Sequence, residues 1–410
     1  MLPPQLSTSQ DRRQNHAWVT VGTKPNGKPD RRHVKRRTKD EAKERVDELL
    51  AQKQAGTVVR PGRAMTVEAW LTTYLDTVAP RRCDPSTIYD YRSKMRTWVY
   101  PEIGRVRLDQ LTADHLDAVY TVMDRAGRAG STVLKVHRIL SRALEVAYRR
   151  GHMPRNPARM MDAPSFKARE IQPFREEEAV TVLDATEWRR NAARWAVGLA
   201  LGLRQGEVLG LRWPYVDLEA KELRVWWQLH RRSFEHGCAG EPCGRRRAGN
   251  CPSRVLPLRS GEQIVDGGLI LKEPKGKSKR TVPLPQELVD ALRRHREIQE
   301  LEQAMAGAAW LDHGFVFATA TGGPISPEAD WDEWKALLKA AGVRDARVHD
   351  GRHTAATILL ALGVPIEVVQ ELLGHSDIRL TRGYSKVASA MARDATDRIG
   401  GALLRKRAAP

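Results

Sequence analysis

The sequence predicts a multidomain, helix-rich chain: a small β-hairpin-plus-helix domain at 1–60, an all-α domain at 61–165 and an α+β, mainly helical domain at 166–410. Three observations predict it. The 410 residues exceed what one hydrophobic core usually serves, because domains run to about 100–200 residues. Hydrophobic residues form 41% of the chain and charged residues 29%, a globular balance. The local pattern also changes twice along the chain, from period-two alternation about a turn, to three- and four-residue apolar spacing, to helices mixed with short apolar strands.

The first domain starts with Trp18-Val19-Thr20-Val21, which alternates as a strand does. Pro25-Asn26-Gly27-Lys28 makes the turn, and His33-Val34-Lys35-Arg36 is the returning strand. Thr38 and Glu41 have the spacing of a capping box, and Ala42, Val46, Leu49 and Leu50 follow at helical spacing. The segment holds 14 Lys and Arg against 7 Asp and Glu, with Arg31, Arg32, Lys35, Arg36 and Arg37 inside seven residues. That density favours a DNA-contacting sheet over a merely solvated strand edge. Gly56 and Pro61-Gly62 close the domain.

Helical spacing then marks 67–77, 86–98, 112–125 and 131–150, separated by Pro85, by a Pro101–Gly104 turn and by Gly127–Gly130. The polar stretch 162–173, bracketed by prolines, reads as a linker. Beyond it, helices fit 175–184, 190–202, 286–305, 329–340, 351–361 and 366–373, and strands fit 222–228, 268–271 and 280–284.

Lys and Arg number 69 against 50 Asp and Glu, a formal charge of +19, which points to a polyanionic partner, nucleic acid by default. The longest apolar run, Ala355 to Ile366, is too short to span a membrane. The opening residues lack the basic-then-apolar layout of a secretory signal. Four cysteines in 410 residues make no disulfide framework, so a reducing, cytoplasmic setting is expected.

Four segments of the last domain carry chemistry-bearing residues. In Gly202-Leu203-Arg204-Gln205-Gly206-Glu207 a guanidinium sits where one helix gives way to the next; it meets either an anion or Glu207 at i,i+3. The turn from Lys272 to Arg280 holds five basic residues in nine, Lys275 among them. His349-Asp350-Gly351-Arg352-His353 opens a helix. It reads either as a relative of the H-E-x-x-H zinc pattern or as one face, His349 with Arg352, presenting donors to a phosphate. Against the first, the usual Glu is Asp and a fixed cation stands beside the would-be metal. Last come Leu372-Leu373-Gly374-His375 and, nine residues on, Tyr384.

In this order and at these separations, the Arg204 segment, the Lys275 turn, His349-x-x-Arg352, Leu-Leu-Gly-His375 and Tyr384 together resemble the tyrosine recombinases, the phage-type integrase family. Residues 1–60 resemble that family's arm-type DNA-binding domain, 61–165 its helical, SAM-like core-binding domain and 166–410 its catalytic domain. The resemblance implies a site-specific DNA recombinase that integrates or excises a mobile element. Tyr384 would attack a phosphodiester to give a 3′-phosphotyrosine, and Arg204 and Arg352 would hold the non-bridging oxygens. Lys275 would protonate the leaving 5′ oxygen, with His349 and His375 as donors and proton-transfer groups. Duplex attachment sites, a homotetramer on DNA, an excisionase or DNA-bending partner and the bacterial nucleoid follow from the same resemblance. A type IB topoisomerase and a catalytically silent DNA-binding protein on the same scaffold are the alternatives.

The chemistry is consistent with these roles. Charge grows on a phosphodiester as phosphorus becomes five-coordinate, and two permanently charged, bidentate guanidiniums suit it. A phenol ionises near pH 10, and surrounding cations lower that. The side chains thus handle the charge with no catalytic metal or ATP. Gly351 departs from the family's usual Leu at this place and is expected to weaken the helix by ~1 kcal/mol. The insertion His236-Gly237-Cys238, Cys243, Cys251 offers three thiols and an imidazole, the donor set of a structural zinc, though without C-x₂-C spacing. Otherwise it is a basic loop around Arg245-Arg246-Arg247. Cys83 reads as helix-end packing. Val387, Met391, Ala395, Ile399 and Leu403 form a near-helical stripe that docks on a neighbouring protomer or packs on its own domain.

Overall fold

The computed structural model describes residues 15–23, 28–54, 65–166, 172–238, 243–274 and 279–374. The chain forms two compact units, Met1–Arg169 and Glu170–Pro410.

In the first unit, β1 (Asn15–Thr23) pairs antiparallel with β2 (Pro29–Arg36), with Trp18 opposite His33 and an irregularity between Thr20 and Gly22. Ala17, Val19, Val21 and Val34 turn to one face and bury against Ala42 and Leu49 of α1 (Lys39–Gln54). The capping box forms: Glu41 N donates to Thr38 Oγ1 at 3.2 Å, and Thr38 N donates back to the Glu41 carboxylate at 3.3 Å.

The same unit contains the helices α2 (Val67–Thr73), α3 (Pro85–Lys94), α4 (Tyr100–Ile103), α5 (Ala113–Arg125) and α6 (Gly130–Arg149). Their shared core includes Trp70, Leu71, Met95, Leu116, Val136 and Leu144. Trp70 Nε1 reaches Ala143 O at 3.0 Å, so the large indole is buried without an orphaned donor. The break expected at Pro101 is absent. α2 and α3 each widen into a π turn, Tyr74–Val78 and Met95–Val99, and each turn ends two residues before a proline, Pro80 or Pro101. Ala79 N bonds Tyr74 O and Tyr100 N bonds Met95 O, five residues back. The wider turn closes the ladder before the residue that lacks an N–H, so the chain stays helical.

The second unit packs α7 (Glu176–Asp184), α8 (Ala192–Ala200), α9 (Gln205–Leu209), α10 (Gln286–Ala306), α11 (Pro327–Ala340), α12 (Val348–Ala361) and α13 (Ile366–Leu373) around small sheets. The strands are β3 (Val216–Asp217), β4 (Glu222–Val225), β5 (Gln228–Arg231), β6 (Glu235–His236), β7 (Arg254–Val255), β8 (Gln263–Asp266), β9 (Leu269–Lys272) and β10 (Arg280–Pro283). Leu223, Leu229, Leu271, Val282 and Phe317 anchor one core; Trp195 and Trp334, 5.2 Å apart between rings, anchor another.

The strand expected at 222–228 breaks at Trp226-Trp227, and β5 and β8 were not legible in the sequence. β10 pairs with β4 and β9 with β5, in the sheet orders β10-β4-β3 and β5-β9-β8. The two strands flanking the Lys275 turn therefore each find their partner in the run 222–231.

Candidate active site

α8 ends at Ala200, and Gly202, with φ of 59°, turns the chain so that Arg204 stands at the N-terminus of α9. Arg204 N donates to Glu207 Oε2 at 3.0 Å and its Nη1 to Glu207 Oε1 at 2.6 Å. α9 lies directly on the backbone of β5: a Cβ at Gly206 would come 2.7 Å from Leu229 O, and one at Gly210 2.5 Å from Leu229 N. Only glycine allows that approach. The next residue, Gln205, is fastened to α11 through Asp330 Oδ2 at 2.8 Å, so the segment is braced on both sides.

Glu207 is buried to 1% exposure and is shared by a second guanidinium. Arg280, at the start of β10, donates through Nη2 to Glu207 Oε2 at 2.9 Å. Burial pushes the Glu207 carboxyl up, but the Arg280 hydrogen bond and the charges of Arg280 and Arg204 outweigh it and hold it below the ordinary carboxylate value.

Arg352, in the first turns of α12, is buried and donates through Nη1 to Gly202 O at 2.7 Å and through Nη2 to Leu373 O. Arg280 Nε donates to Leu372 O at 2.7 Å, and Arg204 Nη2 to Gly374 O at 3.0 Å. Three guanidiniums thus take three consecutive carbonyls at the C-terminal end of α13, where the backbone carries unpaired acceptors and partial negative charge. His375 is the next residue in the chain.

His349 lies exposed at the start of α12, its ring 4.9 Å from that of His353 and edge-on to it. Partial dehydration of the ring, then the charges of His353, Arg352, Arg204 and Arg347, pull its pKa down to about 4, leaving a neutral imidazole at pH 7. His353 is lowered too, first by burial. Asp350 caps α12: its carboxylate accepts from Arg347 N at 2.9 Å and from Arg347 Nη2 at 2.8 Å. An acid so engaged by Arg347 does not suit the general base of a zinc peptidase.

Arg204 and Arg352 thus come together, and the charges of both act on the His349 ring. Lys275, His375, Tyr384 and the stripe from Val387 to Leu403 lie outside the described residues. Glu207 and Arg280 are the site residues that sequence reasoning underrated. The Arg204–Glu207 spacing was the one available signal for the first, and nothing local marks the second. Gly351 is no simple weakness: a Cβ there would stand 2.8 Å from Leu199 Cδ2, so glycine is what lets α12 pack on α8.

Of the basic hairpin, Arg31 and Lys35 share the exposed face of β2 with His33, which stacks on Trp18 at 4.6 Å. Arg32 turns to the other face, 3.5 Å from Asp30. Arg36 and Arg37 are exposed at the strand end.

The Cys/His set does come together. All four donor atoms of His236, Cys238, Cys243 and Cys251 lie within 4.8 Å of one another, with Cys238 Sγ 3.3 Å from Cys251 Sγ and Cys243 Sγ 3.4 Å from His236 Nδ1. Ligands of a tetrahedral zinc, at about 2.3 Å for sulfur and 2.0–2.1 Å for nitrogen, stand roughly 3.6–3.8 Å apart, so the set fits such an ion. The cysteines are free thiols.

The sequence profile of the phage integrase family matches residues 254–391. An integrase of Saccharopolyspora erythraea is 38% identical over 406 residues, spanning 94% of this chain and 93% of that one. This chain belongs to the phage integrase family. The recombinase is also 30% identical over 374 residues to the tyrosine recombinase XerC-like protein of Caldanaerobacter subterraneus subsp. tengcongensis, spanning 88% of this chain and 89% of that one. Among solved structures it is similar to the Tn1549 transposon integrase, with a TM-score of 0.62 at 19% identity over 80% of this chain and 99% of that one. It is similar also to lambda integrase, with a TM-score of 0.56 at 16% identity over 93% and 95% of the two chains. These likenesses show that the recombinase has the multidomain integrase fold. It is a site-specific recombinase of the tyrosine type, a class that needs no catalytic cofactor. No helix among the described residues is long and apolar enough to cross a membrane.

Proposed function

We propose that the recombinase integrates or excises a mobile element by cutting and rejoining duplex DNA through Tyr384. The observation that carries this is that Arg204 and Arg352 both take carbonyls that lead into His375, and that the charges of both act on the ring of His349. Tyr384 Oη bonds to phosphorus as the P–O5′ bond breaks. The phenolic proton goes to the neutral imidazole of His349, His375 donates a hydrogen bond to the phosphate, and Lys275 supplies a proton to the departing 5′ oxygen. Arg204 and Arg352 neutralise the non-bridging oxygens, and each such donor is worth about 10²–10³ in rate. The 3′-phosphotyrosine keeps the energy of the broken bond, so a 5′-hydroxyl from a partner strand reverses the step without ATP.

In this reading residues 1–60 bind arm sites through Arg31, Lys35, Arg36 and Arg37, 61–165 grip the core site and 166–410 carry the chemistry. Each protomer cuts one strand, so exchange needs four. Lambda integrase has been solved as a tetramer bound to a Holliday junction, which supports the same assembly here. An excisionase or DNA-bending protein sets direction, and the setting is the bacterial cytoplasm, at the nucleoid. His236, Cys238, Cys243 and Cys251 hold a zinc whose role is structural and not catalytic.

The test is a nicked suicide duplex from the sequence flanking the gene, incubated in EDTA without ATP. An SDS-resistant adduct with wild type and none with Tyr384→Phe is expected. An adduct surviving in Tyr384→Phe would mean the nucleophile is misassigned. Tight binding with no adduct from either protein would favour the silent DNA-binding alternative, and relaxation of supercoiled DNA without strand exchange the topoisomerase one.

A further inference from the structure

The zinc-binding insertion carries more charge than a structural staple needs. Arg245, Arg246 and Arg247 are consecutive, exposed and bracketed by two donors of the cluster, Cys243 and Cys251. Other basic side chains nearby are neutralised: Arg232 by Glu262, Arg231 by Glu328 at 2.8 Å and Lys279 by Glu273 at 2.6 Å. Among the described residues no carboxylate pairs with any of the three. Arg254 is occupied otherwise, lying 5.1 Å over the Phe234 ring and donating to Gly249 O at 3.2 Å.

The placement is as telling as the charge. The insertion leaves the domain from β5, on whose backbone α9 and Arg204 are seated, and returns through β8 and β9. β9 ends at Lys272, three residues before Lys275. The arginines are therefore rooted in the sheet that frames the cleavage site. Among the described residues the insertion's base is held by the two-residue strands β6 and β7, by Gly237 N donating to Ser253 O at 3.0 Å and by Arg232 against Glu262. Without a cross-link, so short a ladder would leave the arginines free to move, and an ordered contact would have to overcome that entropy.

We propose that Arg245, Arg246 and Arg247 form a zinc-ordered contact with the phosphate backbone of duplex DNA next to the cleavage site. The inference rests on the zinc reading above. The ion joins Cys243 and Cys251 across the arginine run and so converts a loop into a fixed cationic edge. Duplex phosphate is the occupant because the charge is unpaired among the described residues, fork-shaped and carried by an insertion that springs from β5, the strand on which α9 packs.

The test uses the full-length protein and a random-sequence duplex. Zinc is counted by mass spectrometry, and affinity is followed by fluorescence anisotropy between about 50 and 200 mM salt. One zinc per protomer is expected in wild type and in R245A/R246A/R247A, with the slope of log affinity against log salt reduced by about two to three in the triple variant. Stripping zinc from wild type should lower the slope similarly and change the triple variant little further. Zinc present with an unchanged slope, or a slope loss that zinc removal does not reproduce, overturns the contact and leaves the zinc site standing. No zinc in wild type or in a cobalt-loaded sample overturns the metal reading and the proposal with it.

Discussion

Arg280 and Glu207, 73 residues apart in sequence, form a buried ion pair at 2.9 Å, with side chains 6% and 1% exposed. The pair sits where α9, β10 and the end of α13 meet. Glu207 fixes Arg204 from one side, and Arg280 holds Leu372 from the other. A buried carboxylate between two guanidiniums is satisfied, and removing it takes a counter-charge from both. The acid therefore aligns two cations that would otherwise repel.

Glu207→Ala should destabilise the catalytic domain by about 3–5 kcal/mol, the usual cost of removing one partner of a buried pair. Urea unfolding of wild type and variant measures it. Glu207→Leu combined with Arg280→Met should recover much of the stability while adduct formation stays impaired, because Arg204 still lacks its anchor. Recovery of both would contradict a positioning role.

Gly351→Leu restores the residue usual in the family, yet it should destabilise this chain by about 1–3 kcal/mol by overpacking. The cause is the 2.8 Å approach of the new Cβ to Leu199 Cδ2. Adding Leu199→Ala should relieve part of the loss. A thermal melt in which Gly351→Leu is more stable than wild type would return to the simple helix-propensity account.

The pH dependence follows from His349. Its folded-state pKa is lowered to about 4 from an ordinary 6.5, so the unfolded chain takes up the proton first. The stability associated with the neutral ring is present above about pH 6.5 and is lost as pH falls toward 4. His349→Gln should flatten that part of the curve of urea midpoint against pH. NMR titration of the ring gives a second reading: a midpoint at or above 6.5 would show that neither dehydration nor the neighbouring charges act on it.

The two faces of β2 should separate in DNA binding. Arg31→Ala with Lys35→Ala is expected to lower the salt slope of binding by about two. Arg32→Ala, with its side chain directed toward Asp30, should leave the slope unchanged and loosen the hairpin instead. Equal slope losses from both variants would mean that the whole basic run meets DNA.

Helical spacing made much of this protein legible. Arg204 with Glu207 and His349 with Arg352 are three residues apart, and i,i+3 neighbours share a helix face whatever surrounds them. The capping box at Thr38 and Glu41 is local in the same way, and the four residues of the Cys/His cluster, all inside sixteen positions, could be named from residue type. Where the outcome depended on distant backbone, reading failed. Proline at 101 looked like a break because the π turn that absorbs it is set by packing in the helical core.

By itself the sequence determined most of the helices, the charge and the family, since these depend on residue type and near spacing. Tertiary structure alone decided that Arg280 pairs with Glu207, that Gly351 makes room for Leu199 and that Arg32 faces away from its basic neighbours. It also decided that Arg280, Arg352 and Arg204 take Leu372, Leu373 and Gly374 in turn. Each of these is a contact between chain segments whose separation no local pattern encodes, selected because a buried charge or a crowded Cβ must find its partner or its space in three dimensions.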